Sequence, residues 1–263
     1  MIESVDLFGI HLACYTKSKK AGEQVMKEYG VSFIISGELE AFDGKTKYFY
    51  RKGDMIVYRK NALIRFVKYP YKEEAFQAIS VVLDEVLLQE FARTVDLKLE
   101  KKSMPNLLRL EPDELLTDYF TTVRNWFHYQ VDNQQLITLK KKELIHLLYR
   151  HNASLLPIFF DFAQPGKVDL ESYMNTHFRF NIPLADFAFL TGRSLASFKR
   201  DFEKIFHNSP SKWLVSKRLD EAYYLLEQKN MKVKEVYLEV GFETLAHFSH
   251  AFKQKFGINP STL

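Results

Sequence analysis

The sequence predicts an α+β protein, with an antiparallel β-barrel or sandwich first and an all-α region last. Residues 1–83 consist of short β-type runs separated by turn signals. From Asp84 onward the apolar residues recur at helical spacing. The last third of the chain resembles itself at an offset of fifty residues. These observations divide the 263 residues into two domains, which their number also favours.

The β region is predicted to be a series of hairpins. Asp43-Gly44 and Lys52-Gly53-Asp54 are turn signals between runs rich in β-branched and aromatic residues. Several such runs in succession favour a small antiparallel barrel or sandwich. The predicted strands are Val31–Ile35, Glu38–Phe42, Tyr48–Tyr50, Met55–Arg59, Leu63–Tyr69 and Phe76–Leu83.

Three helices are predicted between Asp84 and Asn152, and Pro157, Pro165 and Gly166 then indicate a linker. The apolar residues are Val86, Leu87, Phe91 and Val95 in the first helix; Leu115, Leu116, Tyr119, Val123 and Trp126 in the second, which Pro112 opens; and Leu136, Leu139, Leu144, Leu147 and Leu148 in the third, which runs from about Gln134 to His151. The predicted domains are therefore residues 1–152 and 169–263, joined by a linker over 153–168.

The carboxy-terminal repeat is in register across a whole helix. Ser194 aligns with Thr244, and the match continues beyond them. The further pairs are Leu195 with Leu245, Ala196 with Ala246, Phe198 with Phe248, Phe202 with Phe252, Phe206 with Phe256 and Ser211 with Ser261. Such similarity predicts two copies of one supersecondary unit.

Each copy is predicted to be a helix-turn-helix unit. The first comprises Leu184–Leu190, a turn at Thr191-Gly192-Arg193, and Ser194–Phe206. The second comprises Val233–Val240, a turn at Gly241-Phe242-Glu243, and Thr244–Phe256. The serine and threonine that open the second helices fit N-caps, and the phenylalanines at four-residue spacing predict a buried face.

The opposite face of each second helix is predicted to contact DNA. A helix-turn-helix unit places this helix in the major groove, where Lys199 and Arg200 can donate to guanine and Ala196 can meet a thymine methyl group. The predicted DNA-binding residues are Ser194, Ala196, Ser197, Lys199, Arg200, Thr244, Ala246, His247, Ser249 and His250. Because Lys199-Arg200 is more basic than Ser249-His250, we expect the first unit to dominate base recognition.

His247 and His250 have a second interpretation, since an i, i+3 pair of histidines can bind a metal ion. No further ligand cluster accompanies them in the sequence. The favoured interpretation is therefore two partly exposed polar residues, and no metal or other cofactor is expected.

A predicted helix over Pro210–Glu227 joins the two units. One rigid helix can hold two DNA-reading helices about 34 Å apart, which is one turn of B-DNA, so that both enter successive major grooves on one side of the duplex. Candidate phosphate contacts near helix ends are Lys212, Lys217, Lys232 and Lys234.

Composition and charge agree with a DNA-binding role and exclude other classes. The net charge is +4, and residues 167–263 carry 14 Lys and Arg against 11 Asp and Glu. No window is apolar enough for a membrane span, and the acidic residues Glu3 and Asp6 do not fit a signal peptide, so a cytoplasmic location is expected. Cys14 is the only cysteine, which excludes an internal disulfide.

The carboxy-terminal third resembles the AraC family of bacterial transcription regulators over about eighty residues. The residues that carry the resemblance are Leu184-Ala185, Ser194, Phe198, Arg200, Phe202, Ser209-Pro210, Trp213-Leu214, Arg218-Leu219, Ala222, Glu235-Val236, Val240-Gly241-Phe242, Phe248, Phe252-Lys253, Phe256-Gly257 and Pro260. Where the family commonly has a basic residue, this chain has His250. Arg218 is interpreted as a helix-packing residue rather than as a base contact.

The resemblance implies a sequence-specific transcription regulator, more often an activator, that reads DNA with both second helices and works with RNA polymerase. Gly37-Glu38-Leu39 and Lys52-Gly53-Asp54 resemble the cupin-like sensor barrel of many members. By the same resemblance, the helices between Asp84 and about Asn152 would form a homodimer.

Two enzymatic alternatives are disfavoured by residue content. A metal-dependent cupin enzyme needs several histidines in its barrel, but His11 is the only one before His128. A methyl-accepting repair protein that carries this DNA-binding module needs reactive cysteines, which Cys14 alone does not supply. What the first domain senses stays open between a small-molecule effector and a partner protein. Its aromatic residues could line a pocket or form the core: Phe33, Phe42, Tyr48, Tyr50, Tyr58, Phe66 and Tyr69.

Overall fold

The computed structural model of the chain describes residues 2–15, 20–71, 74–95 and 105–263. These residues form two compact units, Met1–Ala163 and Gln164–Leu263. The segment predicted as helical after Asp84 includes residues 96–104, which lie outside the described residues. Within the described ranges, every helix is too short or too polar to span a bilayer.

The first unit contains two antiparallel sheets. Its strands are β1 (Ile2–Leu7), β2 (Ile10–Tyr15), β3 (Lys20–Val25), β4 (Tyr29–Ser36), β5 (Glu38–Phe42), β6 (Lys47–Arg51), β7 (Met55–Tyr58), β8 (Leu63–Tyr69), β9 (Phe76–Leu83) and β10 (Leu107–Leu110). One sheet has the order β1-β2-β9-β4-β7-β10, and the other has the order β3-β8-β5-β6. The antiparallel β architecture that the sequence predicts is thus confirmed.

The six predicted strands all form, as β4 to β9, whereas the sequence does not predict β1, β2, β3 or β10. The reason is clearest for β3, whose residues show no alternation of apolar and polar side chains. It is a strand because it pairs with β8 over its whole length, from Lys20 opposite Lys68 to Val25 opposite Leu63. Pairing with a distant strand leaves no local sequence signal.

The helices of the first unit are α1 (Glu85–Ala92), α2 (Glu114–His128), α3 (Gln134–His151) and α4 (Leu156–Phe159). The predicted bounds of the third helix are confirmed. Pro112 does not open α2, because the side chain of Asp113 accepts a hydrogen bond from the Leu116 N–H at 3.0 Å and so makes Asp113 the N-cap. The predicted apolar faces include residues that are not buried. The exposed ones are Val86, Leu115, Leu136 and Leu139.

Side chains alternate between the two faces of the central strands, and this alternation gives the first unit two hydrophobic cores. Ile34 and Phe76 point into a cluster formed by both sheets. Their neighbours Val31 and Ile79 point the other way, into a cluster with α1, α2 and α3. One face of the six-stranded sheet therefore packs on the second sheet and the other face on the helices.

The predicted linker over 153–168 is packed in its first part. Ile158 and Phe159 are buried in the helix-side core, and the Tyr29 hydroxyl donates to the carbonyl of Asp161. The sequence predicts that Pro157 breaks structure, but it lies in the first turn of α4, where proline is tolerated. The first unit therefore extends to Ala163 rather than ending at Asn152.

The second unit is all-helical. Its helices are α5 (Leu170–His177), α6 (Leu184–Leu190), α7 (Leu195–Phe206), α8 (Pro210–Lys229), α9 (Val233–Glu239) and α10 (Leu245–Phe256). The sequence predicts all of them except α5. The pairs α6–α7 and α9–α10 are the two helix-turn-helix units, and α8 lies between them in the chain.

Candidate nucleic-acid interface

The two helix-turn-helix units turn through the same backbone motif. Gly192 and Gly241 follow the ends of α6 and α9 with positive φ angles of 66° and 90°. In both turns the next residue donates its N–H to a carbonyl five residues back, Arg193 to Ala188 at 2.9 Å and Phe242 to Tyr237 at 2.8 Å. This is a Schellman motif, which requires a left-handed residue and favours glycine.

The second turn is one residue longer than the first. The glycines are forty-nine residues apart, whereas the second helices start fifty residues apart. The extra residue falls after Phe242, which is buried and packs edge-on against Phe248 at 5.3 Å between ring centroids. The helix α9 ends at Glu239, and Val240, which directly precedes Gly241, caps it rather than continuing it as predicted.

Both second helices begin with a side-chain cap. The Ser194 hydroxyl accepts the Ser197 N–H at 3.2 Å, and the Thr244 hydroxyl accepts the His247 N–H at 3.2 Å. These bonds satisfy one of the free N–H groups that every helix start leaves. Ser194 and Thr244 thus fix the start of α7 and α10, which we call the first and second recognition helix.

The phenylalanine stripes form the cores of the two units, as predicted. Phe198 and Phe202 are fully buried in the first recognition helix, and Phe248 and Phe252 are fully buried in the second. The last phenylalanine of each stripe is half-buried against an aromatic residue of α8: Phe206 lies 4.5 Å from Trp213, and Phe256 lies 5.0 Å from Tyr223, measured between ring centroids.

The first recognition helix exposes its basic residues. Ala196, Lys199 and Arg200 are exposed, and Ser197 is half-buried. The side chain of Arg200 is 67% exposed, with its guanidinium 3.5 Å from the Ser197 hydroxyl and 3.9 Å from the Asp201 carboxylate. Within the described residues Lys199 makes no ion pair. Both cations reach solvent and are accessible to a polyanion.

Asp201 is held beside these cations by Arg193. The Arg193 Nε lies 3.1 Å from the Asp201 carboxylate, and its Nη1 donates to the Thr191 carbonyl at 2.7 Å. The hydrogen bond from Arg193 keeps the pKa of Asp201 below its usual range. Asp201 therefore stays ionised and ties the recognition helix to the turn that precedes it.

The second recognition helix exposes no lysine or arginine in its first two turns. Ala246, His247 and His250 are exposed, and Ser249 is half-buried. The His247 ring packs edge-on against Phe242 at 5.3 Å, whereas no ring contact of His250 occurs among the described residues. The same described residues contain no group of three or more His, Cys, Asp or Glu side chains that could hold a metal ion.

The connecting helix α8 packs against the second helix-turn-helix unit. Buried Arg218 donates to three carbonyls, those of Phe178 at 2.8 Å, Phe180 at 2.6 Å and Gly241 at 3.1 Å. Lys255 of the second recognition helix lies 2.7 Å from Asp220. Arg218 is thus a packing residue, as predicted. Of the candidate phosphate contacts, Lys212, Lys232 and Lys234 are exposed and Lys217 is half-buried.

The first unit has a cavity of about 620 Å³ along the edge of the second sheet. Its lining includes Glu38, Phe49, Tyr50, Arg51, Tyr69 and Arg109. The buried Tyr50 hydroxyl has no hydrogen-bond partner among the described residues, and burial raises the pKa of Tyr50. Among the other aromatic residues, Phe33 stacks on Phe120 in the helix-side core, while Tyr48 and Tyr58 belong to the core between the sheets.

Two family models match the chain. The model described as a helix-turn-helix domain matches residues 187–263, and the model described as the ExsA N-terminal regulatory domain matches residues 29–157. The two models therefore cover the helix-turn-helix units from residue 187 onward and most of the unit Met1–Ala163.

Similar proteins include characterised regulators. The HTH-type transcriptional regulator ExsA of Pseudomonas aeruginosa is 22% identical over 242 residues, which are 90% of this chain and 86% of that protein. The HTH-type transcriptional regulator GbdR of Pseudomonas aeruginosa is 33% identical over 97 residues, 37% of this chain and 26% of its own. A crystal structure of an apo ToxT variant from Vibrio cholerae aligns with a TM-score of 0.46 at 15% identity, covering 97% of this chain and 96% of that one.

The duplicated helix-turn-helix units and the regulatory-domain match define a DNA-binding transcription regulator. The carboxy-terminal domain is of the AraC type, as its residues predict, and the amino-terminal domain is similar to that of ExsA.

Proposed function

We propose that this regulator binds a bipartite duplex site, with the two recognition helices in successive major grooves. The observation that carries the proposal is the repeated arrangement of cap, buried stripe and exposed side in α7 and α10. The 20 residues of α8 span about 30 Å. That length is close to one turn of B-DNA, so a single chain could place both recognition helices on one side of the duplex.

Within this site, Lys199 and Arg200 are proposed to supply the main base contacts. They are exposed in the first two turns of α7, which is the part of a recognition helix that reaches base edges. Both can donate to the guanine O6 and N7 acceptors. The other proposed contacts are Ser194, Ala196, Ser197, Thr244, Ala246, His247, Ser249 and His250, with the second recognition helix contributing more to positioning.

Selection of bound duplexes from a random pool tests this proposal. We expect two conserved blocks about one helical turn apart, the more informative of which loses its base preference in Lys199→Ala or Arg200→Ala. Recovery of a single short block, with no second element in register, would contradict the bipartite site. The control variant is Lys229→Ala, because Lys229 is an exposed lysine at the end of α8 and outside the recognition helices.

The first unit is proposed to regulate DNA binding, by a small-molecule effector or by a partner protein. The cavity beside Tyr50 favours the small molecule, because its volume lies in the usual range for ligand sites. A thermal-shift screen of metabolites against the chain and against Tyr50→Phe tests this. A ligand that stabilises the parent chain more than Tyr50→Phe binds through the Tyr50 hydroxyl, and a proteinaceous regulator would leave the screen without hits. A separate enzymatic activity is not proposed.

The helices of the first unit are proposed to mediate a homodimer, and the dimer to activate transcription through RNA polymerase in the cytoplasm. Support for the dimer comes from apolar side chains that reach solvent on α2 and α3. Leu115 is 49% exposed and Leu139 is 62% exposed. Sedimentation of the chain and of Leu139→Glu tests the interface, since a dimer through α3 would become a monomer in the variant.

A further inference from the structure

The first residue of each recognition helix is a leucine that reaches solvent. Leu195 opens α7 and Leu245 opens α10, at the same position of the fifty-residue repeat. Their exposed fractions are 39% and 37%, whereas the phenylalanines three residues further on are fully buried. Both leucines thus lie at the end of an apolar stripe, outside the closed core.

The two leucines have the same neighbours along their helices, although the turn that precedes the second is one residue longer. Each follows a capping residue, Ser194 or Thr244, whose hydroxyl holds the backbone N–H two residues after the leucine at 3.2 Å. Each is followed by an exposed alanine, Ala196 or Ala246. Both helix starts therefore present the same leucine–alanine pair directly after a capping side chain.

This pair stands where a recognition helix contacts bases. The N-terminal residues of such a helix meet base edges in the major groove. Leu195 lies one turn before both Lys199 and Phe198, so it stands at the border between the exposed face and the core stripe. A leucine side chain has no donor or acceptor, and the apolar feature of the major groove is the C5-methyl group of thymine.

We infer that Leu195 and Leu245 are specificity-determining residues, each packing on a thymine methyl group at the equivalent position of its own half-site. The inference rests on the proposed bipartite DNA site. It predicts that the two half-sites share a thymine. The base sequences of the two half-sites would differ at the positions that face Lys199-Arg200 in one and Ser249-His250 in the other.

Replacement of thymine by deoxyuridine in a selected duplex tests the inference, because it removes only the methyl group. With the full chain, a single such replacement in either half-site should weaken binding about fourfold, the equivalent of one buried methyl-sized group. Leu195→Ala should abolish the effect in the first half-site alone, and Leu245→Ala in the second alone. Leu195→Met keeps an apolar contact and should keep the effect.

Leu238→Ala is the matched control, because Leu238 is an exposed leucine of the same unit, at 44%, on α9 rather than on a recognition helix. It should bind both duplexes like the parent chain. If deoxyuridine weakened binding as much in both leucine-to-alanine variants as in the parent chain, the inference would be overturned. The methyl contact would then be assigned to Ala196 and Ala246. Absence of the effect at every thymine would also overturn it. Failure to recover any bound duplex would instead count against the proposed function.

Discussion

Arg218 of α8 donates to the carbonyl of Gly241, in the turn of the second helix-turn-helix unit, at 3.1 Å. The same guanidinium holds the carbonyls of Phe178 and Phe180, which follow α5. One buried side chain therefore joins the connecting helix α8 to the turn between α9 and α10 and to the segment that follows α5. This junction holds α8 against the turn that precedes the second recognition helix.

We expect Arg218→Ala to lower the free energy of unfolding by about 3 kcal/mol, because three buried carbonyls lose their donor. Urea unfolding followed by far-ultraviolet circular dichroism measures the change. Arg218→Lys keeps the charge with a different donor geometry, so its free energy of unfolding should lie between those of the parent chain and Arg218→Ala. Wild-type stability in the alanine variant would show that water replaces the guanidinium.

Gly241→Ala should be more destabilising than Gly257→Ala. Both glycines have positive φ angles, 90° and 75°, so each substitution places alanine in a strained conformation. A Cβ at Gly241 would lie 2.3 Å from the Arg179 carbonyl, whereas one at Gly257 would have nothing within 4 Å. We expect about 1 kcal/mol for Gly257→Ala and roughly 3 kcal/mol for Gly241→Ala. Equal losses in thermal or urea unfolding would contradict the close approach.

The stability of the first unit should depend on the ionisation of Asp113. A hydrogen bond from the Leu116 N–H, together with Arg150, lowers the pKa of this N-cap carboxyl. Because the pKa is lower in the folded state, the stabilisation is present above the unfolded value of about 3.9 and is lost as pH falls through the folded value. Asp113→Asn keeps a capping side chain without the titration. Its unfolding free energy should therefore fall less steeply below about pH 4 than that of the parent chain, and parallel curves would exclude this role.

Lys199→Ala and Arg200→Ala should each weaken binding to the selected site by about 1–3 kcal/mol and relax base preference at one position. Lys212→Ala, as a candidate phosphate contact, should weaken binding evenly across sequences and reduce the slope of log K against log salt by about 0.9. Fluorescence anisotropy at several salt concentrations separates the two behaviours. The assignment fails if Lys199→Ala and Arg200→Ala bind the selected site as the parent chain does.

The sequence predicts most of this molecule because its signals are local. The bounds of α3 and of both recognition helices follow from apolar spacing, and the caps Ser194 and Thr244 follow from residue type. What it misses depends on distant contacts: β3 exists through β8, and Phe159 packs edge-on against Tyr29 of β4. The sequence comparison also misses the longer second turn. It aligns the recognition helices at an offset of fifty residues, whereas Gly192 and Gly241 are forty-nine residues apart.

For the DNA site, the sequence identifies the polar residues but not the apolar ones. Lys199 and Arg200 stand out because cations suit a polyanion. Leu195 and Leu245 are apolar residues at helical spacing from a core stripe, which favours burial, and only their exposure in the structure separates them from the core.

The central claim is that one chain reads two half-sites with α7 and α10 at a spacing fixed by α8. The most direct test measures the affinity of the full chain for a selected duplex in which five base pairs are inserted between the half-sites. The insertion turns the second half-site to the opposite side of the helix, so binding should fall to the level of a duplex with the first half-site alone. Unchanged affinity for the lengthened duplex would contradict the claim.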